Sequence, residues 1–203
     1  MYKKNEFSYI ILLKSKIKES AQKVSNILVR KMETKDIEQI MEIESSIFGE
    51  YHWTPQSFIS EIENDLGNYF TAVDTETDQL IGYGGFWLIF DEAHITTIAV
   101  RTHLRNKGIG EILLQKMIDV GYAKNAKWFT LEVRAGNIPA QNLYYKYGFK
   151  SLGLRKKYYQ DNDEDALIMW TENIWDTKFS SLFKDLKEKL KLRSCLVKTS
   201  NEN

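Results

Sequence analysis

A six-residue loop, Arg105-Asn106-Lys107-Gly108-Ile109-Gly110, lies between an apolar run, Ile95 to Val100, and an amphipathic stretch, Ile109 to Tyr122. A strand that passes so quickly into a helix presents the helix start at the end of the strand, which limits the fold more than any other feature of the chain. The amides of a first helical turn lack intrahelical acceptors and sit at the positive end of the helix dipole, and glycine removes the side chain that would keep an anion away. The segment reads as a cradle for a pyrophosphate. A nucleotide P-loop is excluded, because Gly110 is followed by Glu111 and Ile112 rather than by lysine and a hydroxyl residue. A dinucleotide fingerprint is excluded too, since its third glycine position holds Leu113. A glycine at a helix start also serves as a plain turn, so the rest of the chain must decide.

The 203 residues, 43% of them hydrophobic, suffice for one substantial core with extensions. Ile27 to Met32 reads as a first strand; Thr34 and Asp36 offer caps for a helix carrying Ile37, Ile40, Ile43 and Ile47; Thr54-Pro55 opens a second helix. Tyr69 to Val73 and Leu80 to Phe90 read as a hairpin, followed by the strand Ile95 to Val100. After the cradle helix come Trp128 to Val133 as a strand, a helix capped by Asn137 and ended by Gly148, and strands at Phe149 to Leu154 and Ala166 to Thr171. Alternation of strands and helices from 95 to 154 with an antiparallel hairpin before it predicts a mixed sheet.

Both ends look appended: residues 1–28 form a basic N-terminal extension, 29–174 the central domain and 175–203 a basic C-terminal extension. The charges are +4, −7 and +3 in that order, although the whole chain is neutral. The acidic body favours a cationic partner by steering, or is simply an acidic surface. Amphipathic patterns at 10–24 and 179–190 read as helices docked on the domain rather than as membrane or nucleic-acid contacts. No apolar run reaches the roughly 18 residues of a membrane span, and Tyr9 to Leu13 is short for a signal-peptide core. The expectation is a cytoplasmic protein that engages neither DNA nor membrane. Cys195 is alone, and His52, His94 and His103 lack ligand spacing, so no metal is expected.

The loop pattern Arg-x-x-Gly-x-Gly resembles that of the GCN5-related N-acetyltransferases (GNAT), whose backbone amides hold the pyrophosphate of acetyl-CoA. Further stretches resemble the RimI-type branch, which acetylates the N-terminal alanine of protein eighteen of the small ribosomal subunit. They are Trp53-Thr54 with Phe58, Asp91-Glu92-Ala93, Ile98-Ala99-Val100, Leu131 to Asn137, Leu143-Tyr144 with Gly148-Phe149, and Tyr158-Tyr159 followed by Glu164-Asp165-Ala166. They keep the family order across about residues 29–173.

The resemblance implies an α/β fold (α+β by some schemes) with a mixed, mostly antiparallel sheet, a splayed parallel strand pair and flanking helices. It implies acetyl-CoA as cosubstrate and the N-terminus of a ribosomal protein or a similar basic peptide as acceptor. Glu132 would accept the proton of the attacking amine, its pKa raised by apolar neighbours; read as a residue alone, it is a strand-surface glutamate beside Arg134. Tyr144 would protonate or hydrogen-bond the departing thiolate, although Tyr145 and Tyr147 show that a core aromatic is the simpler alternative. Ile98, Ala99, Val100, Arg105, Asn106, Lys107, Gly108, Ile109, Gly110, Glu111 and Asn137 would contact the cofactor, with Asn137 equally a helix cap. Trp53, Tyr158 and Tyr159 would contact the acceptor, and Glu50, Asp161 and Asp163 would meet a basic peptide or remain solvated. Attack by the amine would be direct, leaving Cys195 no part.

Reference pKa values bear on the acceptor. An α-amine near 7.7–8.0 is roughly one-tenth neutral at pH 7, against about one lysine in 2,500. A tyrosine near 10 giving its proton to a thiolate near 8.5 runs uphill by about 2 kcal/mol. Two other readings stay open: a small-molecule amine acetyltransferase, for polyamines or antibiotics, and a non-catalytic acyl-CoA-binding module.

Overall fold

A computed structural model describes residues 27–198; the amphipathic stretch read at 10–24 lies outside the described residues. The strands are β1 (Ile27–Lys31), β2 (Gly67–Asp74), β3 (Gln79–Ile89), β4 (Glu92–Val100), β5 (Trp128–Arg134), β6 (Lys150–Tyr159) and β7 (Glu164–Trp170). The α-helices are α1 (Ile37–Phe48), α2 (Pro55–Glu63), α3 (Ile109–Ala123), α4 (Ile138–Lys146) and α5 (Thr177–Lys198). The strands form one sheet in the order β1-β2-β3-β4-β5-β7-β6, antiparallel except for β4 beside β5.

Local chemistry explains the helix starts. Thr54 Oγ1 accepts from Ser57 N at 3.1 Å and Asn137 Oδ1 from Ala140 N at 3.2 Å, each ahead of a proline near the first helical turn. Asp36, read as a cap, accepts from Glu33 N at 2.9 Å and is gripped by both terminal nitrogens of Arg30 at 2.7 and 2.6 Å. Strands β2 and β3 are buried along most of their length because both faces are covered. Their alternate residues feed two cores: Tyr69 and Leu80 join Ile40, Ile43 and Phe58 under α1 and α2, while Phe70 and Ile81 join Leu113, Met117 and Phe129 under α3.

Two strand boundaries differ from the sequence reading by three residues or more. Strand β4 begins at Glu92 rather than Ile95, because Phe90-Asp91 makes a tight turn, with Phe90 at φ 55°, in a place without the usual Gly or Asn signal. Strand β6 runs on to Tyr159; its Arg155-Lys156-Lys157 looks like loop but belongs to a solvent-exposed edge strand, where charge is normal. Between β5 and β6 the structure inserts β7, so parallel pairing is confined to β4–β5. Helix α5 packs on the domain through buried Phe179, Phe183, Leu186 and Leu190, with the Phe183 ring 5.8 Å from Tyr122 and Lys187 Nζ 2.7 Å from Asp119 Oδ1. Among the described residues no helix is long and apolar enough to cross a membrane.

Candidate active site

The site begins with a fault in the sheet. Pairing of β4 with β5 stops at Ile95↔Leu131, and at the same level β3 pairs Phe86 with Ile95 and Gly85 with Thr97, leaving Thr96 as an extra residue. A bulge bends its strand, so Thr96–Val100 diverges from β5, which pairs with β7 through Arg134↔Ala166. Thr96 Oγ1 lies 2.8 Å from the Tyr69 hydroxyl and donates to Gly85 O at 3.3 Å, which holds the bulge in place.

One cavity, of about 630 Å³, opens along the diverging strand toward the start of α3. Gly108 caps that helix at φ 85° and Asn106 sits at φ 60°, a left-handed pair that turns the chain back over the helix mouth. The first helical bond runs from Ile112 N to Gly108 O at 3.0 Å, so the Ile109 and Gly110 amides have no acceptor within the helix. A methyl group on Gly110 would stand in van der Waals contact, 3.8 Å from both Val100 Cγ2 and Leu143 Cδ2, residues that also line the cavity. Main chain and missing side chains thus suit a pyrophosphate followed by a slender arm. Ile98, Ala99, Val100, Arg105, Asn106, Gly108, Ile109, Gly110, Glu111 and Asn137 line this cavity, and Lys107 is not among its lining residues. The Glu111 carboxylate is held by Lys146 at 2.5 Å and by the Tyr147 hydroxyl at 2.9 Å.

A second cavity, of about 340 Å³, shares Phe48, Ile98, Asn137, Ala140 and Tyr144 with the first. Its walls bring together Glu44, Tyr51 and Trp53 with Glu132, Tyr158, Tyr159 and Asp161. The Glu132 side chain is 7% exposed; His94 Nε2 donates to Oε2 at 2.9 Å and Arg155 Nη2 lies 3.3 Å from Oε1. The His94 hydrogen bond, with the charges of His94 and Arg155, outweighs burial and holds the Glu132 carboxyl below its ordinary range. This corrects the expectation that apolar neighbours raise it: residues adjacent in sequence face the core, whereas the partners that matter come from β4 and β6. Nor is Arg134 its partner; that guanidinium binds Asp161 and Glu164.

Tyr144, 8% exposed, lies on the wall common to both cavities, and burial raises its pKa above that of an ordinary phenol. Burial pushes Tyr159 up to about 12, even with Arg134 nearby. Glu44, 3% exposed, accepts from Trp53 N at 2.8 Å, and burial raises its pKa. Glu44, His94 and Arg155 escaped the sequence reading, since each lies on a different element from Glu132; the lone glutamate on the buried face of α1 was the available signal for Glu44. Of the acidic rim residues, Asp161 is bound by Arg134 at 2.8 Å and Asp163 lies 3.4 Å from Lys157, so neither stands as an unengaged charge. Among the described residues no cluster of His, Cys, Asp and Glu could hold a metal ion.

Two cavities share a wall, one bordered by the start of α3 and the other lined by the Glu132 carboxylate, an arrangement suited to group transfer. The group follows from kinship: the profile of the acetyltransferase (GNAT) family matches residues 37–149, and the chain belongs to that family of acetyl-CoA-dependent N-acetyltransferases. It is 43% identical over 143 residues, 70% of this chain and 93% of the other, to a Bacillus subtilis (strain 168) protein named "Putative ribosomal protein bS18-alanine N-acetyltransferase". It is 32% identical over 145 residues to the bS18-alanine N-acetyltransferase of Haemophilus influenzae, covering 70% of this chain and 96% of that one. Among solved structures, the S18-alanine N-acetyltransferase of Escherichia coli superposes with a TM-score of 0.66 at 28% identity, over 72% of this chain and 94% of the other.

Proposed function

We propose that this protein transfers the acetyl group of acetyl-CoA to the N-terminal α-amine of a protein, with the N-terminal alanine of ribosomal protein bS18 as acceptor. The observation that carries this reading is the second cavity, lined by Tyr51, Trp53, Tyr158 and Tyr159 together with the Glu132 carboxylate, which is held below its ordinary pKa, and sharing a wall with the first cavity. The names of the relatives supply the acceptor, and the pocket is consistent with a chain end entering it.

When bound, acetyl-CoA supplies an activated thioester. The first-turn amides of α3 would hold its pyrophosphate, and main-chain groups of the diverging Thr96–Val100 segment would bind the arm and polarise the thioester carbonyl. Glu44, at the pocket wall, would attract the incoming α-ammonium. Glu132 would orient the neutral amine and accept its proton as it attacks, with His94 holding the carboxylate in place. Because Glu132 is a weakened base, the reaction suits an amine that is already partly neutral at pH 7, and an α-amine meets that condition far better than lysine. Tyr144 would donate a hydrogen bond to the departing sulfur without giving up its proton, since its raised pKa makes full transfer still more uphill than the reference 2 kcal/mol or so.

The test is thiol release from acetyl-CoA with an Ala-initiated bS18 peptide, the same peptide blocked at its α-amine but carrying a free lysine, and spermidine. The α-amine peptide should be preferred by more than about 100-fold in kcat/KM, a gap the two amine pKa values alone can supply. Equal or faster turnover of spermidine or of the blocked peptide would instead establish the small-molecule or lysine reading.

A further inference from the structure

We propose that Arg134 is a positioning residue that fixes the β6–β7 hairpin as the acceptor wall, so that peptide binding, but not acetyl-CoA binding, depends on it. This rests on reading the second cavity as the acceptor site. The hairpin needs an anchor. Gln160, Asp161, Asn162 and Asp163 at its tip are all exposed and polar, and both Asp163 and the preceding Lys157 stand in the left-handed region that non-glycine residues seldom adopt, at φ 56° and 51°.

One guanidinium reaches much of it. Arg134 Nη2 donates to Asp161 Oδ2 at 2.8 Å, Nη1 donates to Asn162 Oδ1 and Glu164 Oε2 at 3.1 Å each, and the planar group lies 3.9 Å from the centre of the Tyr159 ring. The other oxygen of Glu164 accepts from Gly136 N at 2.7 Å, where a Cβ on Gly136 would come within 2.9 Å of it. The turn after β5 is therefore shaped to receive the hairpin. Arg134 also lies two residues from Glu132 on the same strand, so a single rigid element carries both the carboxylate and the anchor of the opposing wall. Tyr158, Tyr159, Gln160 and Asp161, which the anchor holds in place, all line the acceptor cavity and are absent from the lining of the donor cleft.

Partly exposed ion pairs contribute little to global stability, so the effect belongs to placement rather than to folding. Lysine offers charge without the planar fork or the stacking surface, and should replace arginine only in part. Arg134→Met should raise the peptide KM about tenfold or more while the acetyl-CoA KM stays within about twofold, with Arg134→Lys falling between. Hydrogen–deuterium exchange of the ligand-free variant should rise across residues 157–163 and stay unchanged in β4 and α3. Asp161→Asn with Glu164→Gln, which leaves Arg134 and the shape of the loop intact, should give the same pattern and covers a misfolded Arg134→Met. Unchanged exchange in the hairpin, or both KM values rising together, overturns the proposal. If the wild type acetylates no peptide α-amine, the functional reading fails while the exchange result still decides whether Arg134 holds the hairpin.

Discussion

The donor cleft and the acceptor pocket meet at one wall yet are built by opposite strategies. The cleft is gathered chiefly from one continuous stretch, residues 98–111, with α4 opposite: a diverging strand, a left-handed turn and the mouth of α3. The pocket is assembled from scattered segments: α1, the loop before α2, strands β4 and β5, α4 and the β6–β7 hairpin. A site built from one local stretch depends on few parts of the chain, whereas a site assembled from distant segments depends on the whole fold. On the proposed function, recognition of the cosubstrate falls to the first and choice of the acceptor to the second.

That division can be broken by experiment. The largest effect on turnover is expected from Glu132→Gln, which should lower kcat by about 10²–10⁴-fold, the usual range for a positioned base, while calorimetry finds acetyl-CoA affinity unchanged. A parallel loss of cofactor affinity would mean that the two cavities are not independent. Tyr144→Phe, which removes one hydrogen bond to developing negative charge, should lower kcat by about 10- to 100-fold, read in single-turnover kinetics. Gly110→Val should work from the other side: its Cβ would already touch Val100 and Leu143 at 3.8 Å, so the two added methyl groups crowd the cleft and should weaken acetyl-CoA by about 10- to 100-fold, an overpacking penalty of about 1–3 kcal/mol, and leave peptide KM alone.

A pH profile sharpens the contrast further. Because the folded-state pKa of Glu132 is depressed, its pairing with His94 contributes stability above the ordinary carboxylate range and loses it as pH falls through the lowered value. Glu132 is therefore ionised throughout the neutral range, and kcat/KM for a peptide should climb about tenfold per unit from pH 6 toward the α-amine pKa of 7.7–8.0. A plateau beginning near pH 5 would show that the carboxylate, rather than the acceptor, limits the acid limb. The smallest effect on either KM should come from Phe183→Ala: it should lower stability by about 3–5 kcal/mol in denaturant titrations, because Phe183 is 6% exposed on the buried face of α5, yet leave the ratio of the two KM values unchanged.

The same division explains what could be read in advance. Thr54, Pro55, Asn137 and the Gly108 turn act within a few residues of themselves, so their chemistry is visible in the order of the chain. The bulge at Thr96, which opens the sheet, has no local signature because it depends on the register of β3 against β4. The lowered pKa of Glu132 was hidden for a related reason: His94 and Arg155 lie 38 residues before it and 23 after it, and only the sheet order brings them to its two oxygens. Asp161 and Asp163 could be read either as charges for a basic peptide or as solvated loop charge, and their neighbours Arg134 and Lys157 come from other positions that the sequence order does not place beside them.

The wall formed by Phe48, Ile98, Asn137, Ala140 and Tyr144 has a kinetic corollary. With a separate berth on either side of it, thioester and amine can be resident together, and no covalent acetyl-enzyme is needed to carry the group between visits. Initial-velocity plots should therefore intersect rather than run parallel, and a compound that tethers a peptide amine to coenzyme A across that boundary should inhibit more tightly than either half.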